Sequence, residues 1–342
     1  MKDVTLGTTG ITVVQNGFGA LPIQRISKEA AVRLLRQAYA GGMRFFDTAR
    51  AYSDSEEKIG AAFADLDRST YVLATKTMAK TPDEFWDQLE TSLRLLQTDY
   101  IDIYQFHCAS QMYKPGDGSG MYEAMLEAKR LGKIRHIGIT AHKLGVAQEA
   151  IESGLYETLQ FPMSYLSSEK EQALIAACRD REMGFIAMKG LAGGLINQSV
   201  PAMAFMQQFD NVVPIWGVQK ESELQEWLAF MDDTPIMTGQ TAAFIAKERA
   251  EMAGSFCRGC GYCMPCPVGI EINQCARMSL MVRRAPSESW LDSHWQQEMA
   301  KIKNCLHCNQ CASKCPYELD TPRLLEENLK DYEAILAGEV QV

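Results

Sequence analysis

KEAAVRLLRQAYAGGMRFFDTA, residues 28–49, contains a whole helix-to-strand unit. From Lys28 to Ala40 the apolar residues recur at intervals of three and four, the mark of one buried helix face. The Gly41–Gly42 pair suits a helix end. RFFDTA (44–49) then reads as a short buried strand that closes on an aspartate. The same alternation continues along the chain. Further strands are expected at NGFGA (16–20), YVLATK (71–76), YIDIYQFH (100–107), IRHIGIT (134–140), TLQF (158–161), GFIAMK (184–189) and VVPIWG (212–217). Between them lie amphipathic segments such as PDEFWDQLETSLRLL, with Thr81–Pro82 as its start signal. Eight such units in about 230 residues fit a closed parallel (β/α)8 TIM barrel. An open doubly wound sheet is the alternative, and the lack of a GxGxxG after an early strand counts against it.

The chain has 342 residues, room for one large domain and a small one. Its hydrophobic content is 46%, and no apolar run approaches the ~18 to 20 residues that span a bilayer. The start, MKDVTLGTTGITVV, lacks the basic stretch and long apolar core of a signal peptide. A net charge of −9, spread along the chain, argues against nucleic acid as a main partner. The scattered methionines suggest core gap-filling. Cysteine is the informative count, because nine of the eleven lie after residue 256. A disulfide-stapled secreted protein would not leave so long a stretch nearly free of cysteine. Clustered thiolates without an export signal point to metal ligands in a reducing cytoplasm, and neither membrane nor nucleic acid is expected as a partner.

Those cysteines form two runs, CRGCGYCMPCP (257–267) and CLHCNQCASKCP (305–316). CPVGIEIN (266–273) echoes CPYELDTP (315–322), so the region reads as a duplicated unit. We expect a barrel domain over 1–235, a helical linker over 236–254 that includes TAAFIAKERAEMAG, and a small mainly helical domain over 255–342.

In barrels of this kind the reacting groups sit at the carboxyl ends of the strands. Asp47, Lys76 and His107 end the second, third and fourth expected strands, and Tyr52 follows Asp47 in the next loop. Here the chain resembles the aldo-keto reductases, through FFDTARAYSDSEEKIG (45–60), LATK (73–76) and DIYQFH (102–107). The resemblance implies that Tyr52 protonates a carbonyl oxygen and that Lys76, held by Asp47, lowers its pKa. It implies that His107 orients the carbonyl and that NADPH or NADH supplies a hydride across the barrel mouth. The same resemblance makes Thr140 and Gln160 the expected partners of the carboxamide. KGLAGG, with Lys189, Gly190, Leu191 and Gly193, becomes the pyrophosphate loop, and Gly217 and Lys220 lie at the adenosine end. His142 is left open between a functional and a loop role. Glu223 stands where NADP-dependent members carry an arginine, with Lys220 nearby. The family's C-terminal loop is missing, so CASQMYKPGDGSGM (108–121) is expected to act as the lid that selects a small carbonyl or alcohol.

The cysteine runs resemble bacterial ferredoxins, where the cysteine before proline ligates the other cluster. On that pattern Cys257, Cys260, Cys263 and Cys315 hold one [4Fe-4S] cluster, and Cys305, Cys308, Cys311 and Cys266 hold the second. The first run has two residues rather than three before Cys266, and a four-thiolate zinc site is the alternative. Cys275 reads as a buried thiol and Cys108 as a packing residue. Together the halves resemble oxidoreductases that fuse such a barrel to a ferredoxin-like dicluster domain. With no flavin motif to bridge one- and two-electron steps, we expect the clusters to fold their domain and serve an external redox partner. They would not exchange electrons quickly with NAD(P)H. The other functional class is a catalytically weak nicotinamide-binding barrel that docks or senses for an electron-transfer partner.

Overall fold

A computed structural model describes residues 1–252, 256–284 and 287–341. The chain divides into two compact units, Met1–Gly190 with Ser199–Ala243, and Leu191–Gln198 with Phe244–Val342. The domain start expected at residue 255 lies outside the described residues.

The first unit begins with a hairpin, β1 (Asp3–Thr5) and β2 (Thr12–Val14). Eight strands follow: β3 (Gly17–Gly19), β4 (Phe45–Asp47), β5 (Val72–Thr77), β6 (Ile101–Phe106), β7 (Ile134–Thr140), β8 (Thr158–Pro162), β9 (Gly184–Met188) and β10 (Val212–Gly217). Each pairs in parallel with the next, and β10 pairs with β3, so the sheet closes into the expected barrel. Helices cover the barrel's outer surface: α1 (Lys28–Ala40), α2 (Ser55–Phe63), α3 (Pro82–Leu96), α4 (Met121–Arg130), α5 (Leu144–Ser153), α6 (Glu169–Asp180), α7 (Ser199–Met206) and α8 (Glu221–Asp232). Ser27 caps α1, and Thr81 caps α3 by accepting from the Glu84 amide, with Pro82 in the first turn.

The hairpin has a packing purpose. Val4, Leu6 and Val13 are buried against barrel residues Phe45, Ala74, Ile103, Ile186, Val213 and Ile215. Strand register then sets the opposite, carboxyl ends. Asp47 pairs with Ala74, Lys76 with Gln105, and Thr140 with Gln160. Five neighbouring strands, β4 to β8, therefore carry polar side chains to one end of the barrel.

The described part of the second unit is helical. Its helices include α9 (Gly239–Glu251), which begins in the first unit, then α10 (Ile272–Cys275), α11 (Met278–Arg284), α12 (Ser293–Ala300), α13 (Gln310–Ser313) and α14 (Thr321–Leu336). A core of Ile270, Ile272, Met278, Val282, Leu325 and Tyr332 also takes in Cys257, Cys263 and Cys311. Asn328 ties α14 to α11 by accepting from the Ser279 amide at 2.9 Å. Among the described residues, no helix is long and apolar enough to cross a membrane.

Candidate active site

Tyr52 lies in a loop pinned from both sides. Glu56, fully buried in α2, pairs with Arg50 and accepts from Thr75 Oγ1 at 2.7 Å and Ser92 Oγ at 2.8 Å. Ser55 Oγ accepts from Thr48 at 2.9 Å and donates to the Ala20 carbonyl at 3.0 Å. Buried Lys58 donates to the Ile23 and Ile26 carbonyls. These bonds fasten residues 48–58 to β5 and α3 and to the segment after β3. None of Glu56, Ser55 and Lys58 was singled out in the sequence. The signal was present, since Glu56, Ile59 and Phe63 share the buried face of α2.

At the centre, Lys76 Nζ donates to Asp47 Oδ1 at 2.6 Å, Oδ2 at 2.8 Å and the Thr48 carbonyl at 2.5 Å. That uses all three ammonium donors. The ammonium lies 5.3 Å from the centre of the Tyr52 ring, and the phenol has no hydrogen-bond partner among the described residues. Tyr52 and His107 meet edge to face with centroids 5.6 Å apart. The four residues expected from the sequence do converge.

Their electrostatics differ from the expectation in one respect. The Tyr52 phenol is raised rather than lowered, by burial first and then by Asp47 and Cys108. Lys76 spends its charge on Asp47 and does not pull the phenol down. Burial raises Asp47 and lowers Lys76, and their mutual attraction opposes both shifts. His107 is lowered to about 3, by burial first and Lys76 second. Tyr52 is thus a protonated donor and His107 a neutral imidazole through the physiological range.

The expected cofactor residues fall into three groups. Gln160 is buried beside the Asp47–Lys76 pair, accepting from Gln105 at 2.9 Å and donating to Asp47 Oδ1 at 3.4 Å. Thr140 Oγ1 accepts from the Cys108 amide at 2.6 Å, and the Cys108 sulfur lies 3.4 Å from His142 Nδ1. His142 is buried, and burial, Lys189 and His107 lower its pKa, so it is a neutral residue near His107. Gly190 leaves room that a side chain would deny, since a Cβ there would stand 2.4 Å from the Trp216 ring. KGLAGG continues from Lys189 and Gly190 in the first unit to Leu191 and Gly193 in the second. Gly217 ends β10, and Lys220 precedes α8. Glu223 Oε2 accepts the amides of Gln219 at 2.9 Å and Lys220 at 3.1 Å, so its carboxylate caps α8.

The loop expected as a lid, 108–121, is ordered by its own side chains. Asp117 accepts from Ser119 and Lys114, and Tyr156 Oη donates to the Tyr113 carbonyl at 2.5 Å.

In the second unit two cavities carry the thiols in a crossed arrangement. Cys257, Cys260, Cys263 and Cys315 line one small cavity. Cys266, Cys305, Cys308 and Cys311 line the other, and Cys263 borders it. The cysteine before each proline faces the opposite run's triplet, which is the chemistry a pair of ferredoxin-type clusters requires. No disulfides form. Among the described residues, no three Cys, His, Asp or Glu side chains gather closely enough for a single ion. Burial raises the thiols of Cys257, Cys263 and Cys311, Cys263 to about 12, so a bound cation is needed to hold them as thiolates. Cys275 is fully buried in the apolar core.

Known proteins bear on both units. Residues 13–215 match the model of the aldo/keto reductase family, and residues 256–320 match that of a 4Fe-4S dicluster domain. L-galactose dehydrogenase of Arabidopsis thaliana is 29% identical over 216 residues, covering 57% of this chain and 67% of that protein. The NADH-specific methylglyoxal reductase of Escherichia coli is 26% identical over 229 residues, covering 58% of this chain and 70% of that protein. Other relatives are spanned over 60 to 64% of their length. Among solved structures, an aldo-keto reductase from Klebsiella pneumoniae in complex with NADPH superposes with a TM-score of 0.60. Its identity is 24%, and the match covers 72% of this chain and 94% of that one, a likeness of fold.

A pH prediction follows from Tyr52 and His107. Neither changes protonation between pH ~5 and ~8, so the rate of carbonyl reduction should show no histidine-type inflection there. A steady-state profile with a step near pH ~6.5 that disappears in His107→Gln would contradict this. The unfolded chain protonates His107 below pH ~6.5 while the fold resists until about 3, so this residue's contribution to stability is lost as pH falls through that window.

Proposed function

Because the chain belongs to the aldo/keto reductase family, we propose that it is an NAD(P)-dependent oxidoreductase interconverting a small carbonyl and its alcohol. The observation that carries this reading is the convergence of Tyr52 and His107 on the buried Lys76–Asp47 pair. Nicotinamide, when bound, supplies the hydride to the carbonyl carbon. Tyr52 gives its phenolic proton to the carbonyl oxygen, which becomes the alcohol hydroxyl. Neutral His107 donates a hydrogen bond that orients that oxygen. Lys76, its charge taken up by Asp47, packs against the ring and fixes where the phenol meets the carbonyl oxygen. Thr140 and Gln160 would hold the carboxamide, Lys189, Gly190, Leu191 and Gly193 the pyrophosphate, and Gly217 and Lys220 the adenosine end. The 108–121 loop selects the substrate.

In this reading residues 1–235 form the reductase domain and 236–254 the linker, while 255–342 hold two [4Fe-4S] clusters. Cys257, Cys260, Cys263 and Cys315 ligate one, and Cys266, Cys305, Cys308 and Cys311 the other. The crossed lining of the two cavities supports this assignment. Clusters of this kind transfer single electrons. They stabilise the domain and serve an external redox partner in the cytoplasm.

Replacing Tyr52 by Phe should lower kcat by ~10² to 10⁴ while leaving nucleotide affinity nearly unchanged, because the proton is needed only as the alkoxide develops. The check is a steady-state assay with NADH and NADPH over a panel of aldehydes and ketones. Nucleotide binding without turnover across that panel would identify the barrel as a sensing module instead.

Protein purified without oxygen should be brown and carry about eight iron and eight sulfide per chain. Stoichiometric zinc with no visible absorbance would overturn the cluster assignment.

Glu223 places a carboxylate where a 2′-phosphate would arrive. Glu223→Arg should therefore strengthen NADPH binding relative to NADH by about tenfold in fluorescence titrations, the worth of one charge-assisted contact. An unchanged ratio would remove Glu223 from nucleotide choice.

A further inference from the structure

Arg277, in the second unit, is almost wholly buried. A guanidinium stays charged, and a buried charge needs an anion. Among the described residues, Arg277 has no carboxylate partner. Its hydrogen bonds go to neutral oxygens: the Gly193 carbonyl at 2.7 Å and Gln274 Oε1 at 3.1 and 2.6 Å. The negative groups acting on it are the sulfurs of Cys257 and Cys260.

Two glycines enclose the guanidinium. Gly259, at φ +64°, sits so close that a Cβ would stand 2.6 Å from Arg277 Nη1, and its amide faces Cys257 Sγ at 3.4 Å. Gly193, at φ +69°, would place a Cβ 2.9 Å from the same nitrogen and 3.1 Å from the Arg258 carbonyl. The turn after Leu191 is thus seated on the first cysteine run, within one compact unit. Two further bonds fasten the same segment: Asn197 Nδ2 donates to the Arg284 carbonyl at 2.8 Å, and Arg284 donates to the Leu195 carbonyl at 3.1 Å.

We infer that Arg277 is a positioning residue that couples nicotinamide binding to cluster assembly, through its clamp on Gly193 and its charge beside Cys257 and Cys260. This rests on the reading of KGLAGG as the pyrophosphate loop. Thiolates on a cluster are the anions that the buried guanidinium lacks, and they hold it where it grips the Gly193 carbonyl. That carbonyl is then held by Arg277. Without the thiolate cluster the cation is drawn to water, the grip loosens, and the loop joined to Lys189 and Gly190 loses its fixed shape. Neither electrons nor atoms are exchanged in this coupling. It is a linkage between two binding events and is reciprocal: bound nucleotide must favour the seated Arg277.

The test uses the full-length, anaerobically reconstituted protein with iron and sulfide counted, comparing Arg277→Gln and Arg277→Lys with wild type. Three quantities are read: Kd for NADH and NADPH, hydrogen exchange of residues 191–198, and the cluster midpoint potential. Arg277→Gln should raise Kd roughly tenfold, as expected for loss of a charged hydrogen bond. It should also speed exchange in 191–198 and move one midpoint to a more negative potential. Arg277→Lys should keep the midpoint near wild type yet still loosen the loop and weaken the nucleotide. If Arg277→Gln does not take up full clusters, the lysine variant decides by its loop exchange and Kd. Wild-type Kd and exchange in a fully loaded variant would overturn the proposal. Faster exchange with unchanged Kd would also overturn it, by showing a clamp that does not serve the nucleotide. If wild type binds neither nucleotide, the reading of the barrel fails instead, a result distinct from either.

Discussion

A buried charge must be answered by an opposite one, and the Lys76–Asp47 pair is where this chain meets that demand most sharply. Both side chains are almost fully shielded, and Asp47 and the Thr48 carbonyl consume every ammonium donor. Removing either partner would leave an unpaired charge in the interior, at a cost of about 3–5 kcal/mol. The pair therefore holds the ends of β4 and β5 together at the barrel mouth. Its geometry also decides how Tyr52 works. A lysine so fully engaged has no spare donor, and burial keeps the Tyr52 phenol protonated.

The second unit answers the same constraint with sulfur. Its apolar core leaves eight thiols facing two cavities and, among the described residues, a guanidinium without a carboxylate. Clusters held by thiolates would satisfy that charge, so metal and fold are mutually dependent there. In the barrel the ion pair is built from the chain alone. In the C-terminal unit the negative partner has to be acquired.

The eight barrel strands were legible because each is short, apolar and set between amphipathic helices. Asp47, Tyr52, Lys76 and His107 were legible because three of them end adjacent expected strands. The crossed thiol sets came from the resemblance to bacterial ferredoxins, in which the cysteine before proline ligates the other cluster. Other features were hidden for physical reasons. The β1–β2 hairpin has strands of three residues, too short for a period to show. Glu56 falls on the apolar face of α2 with Ile59 and Phe63, but only the fold reveals its network with Arg50, Thr75 and Ser92. Arg277 looks like a surface arginine until Gly193, distant in sequence, is brought against it. The expected lowering of the Tyr52 pKa went astray because spacing cannot show that Asp47 would take the whole of the lysine's charge.

Two-electron chemistry in the barrel and one-electron chemistry at the sulfur-bound sites would be joined by structural linkage rather than by a shared electron path. A nicotinamide radical is a poor intermediate, and hydride transfer moves both electrons at once. The most direct measurement is anaerobic mixing of the oxidised, cluster-loaded protein with excess NADH and then NADPH, following visible bleaching and the EPR signal. The clusters should remain oxidised over seconds while the same protein, given a carbonyl substrate, consumes nucleotide. Full cluster reduction within seconds, without added flavin or partner, would show that the halves are wired together and would contradict the account.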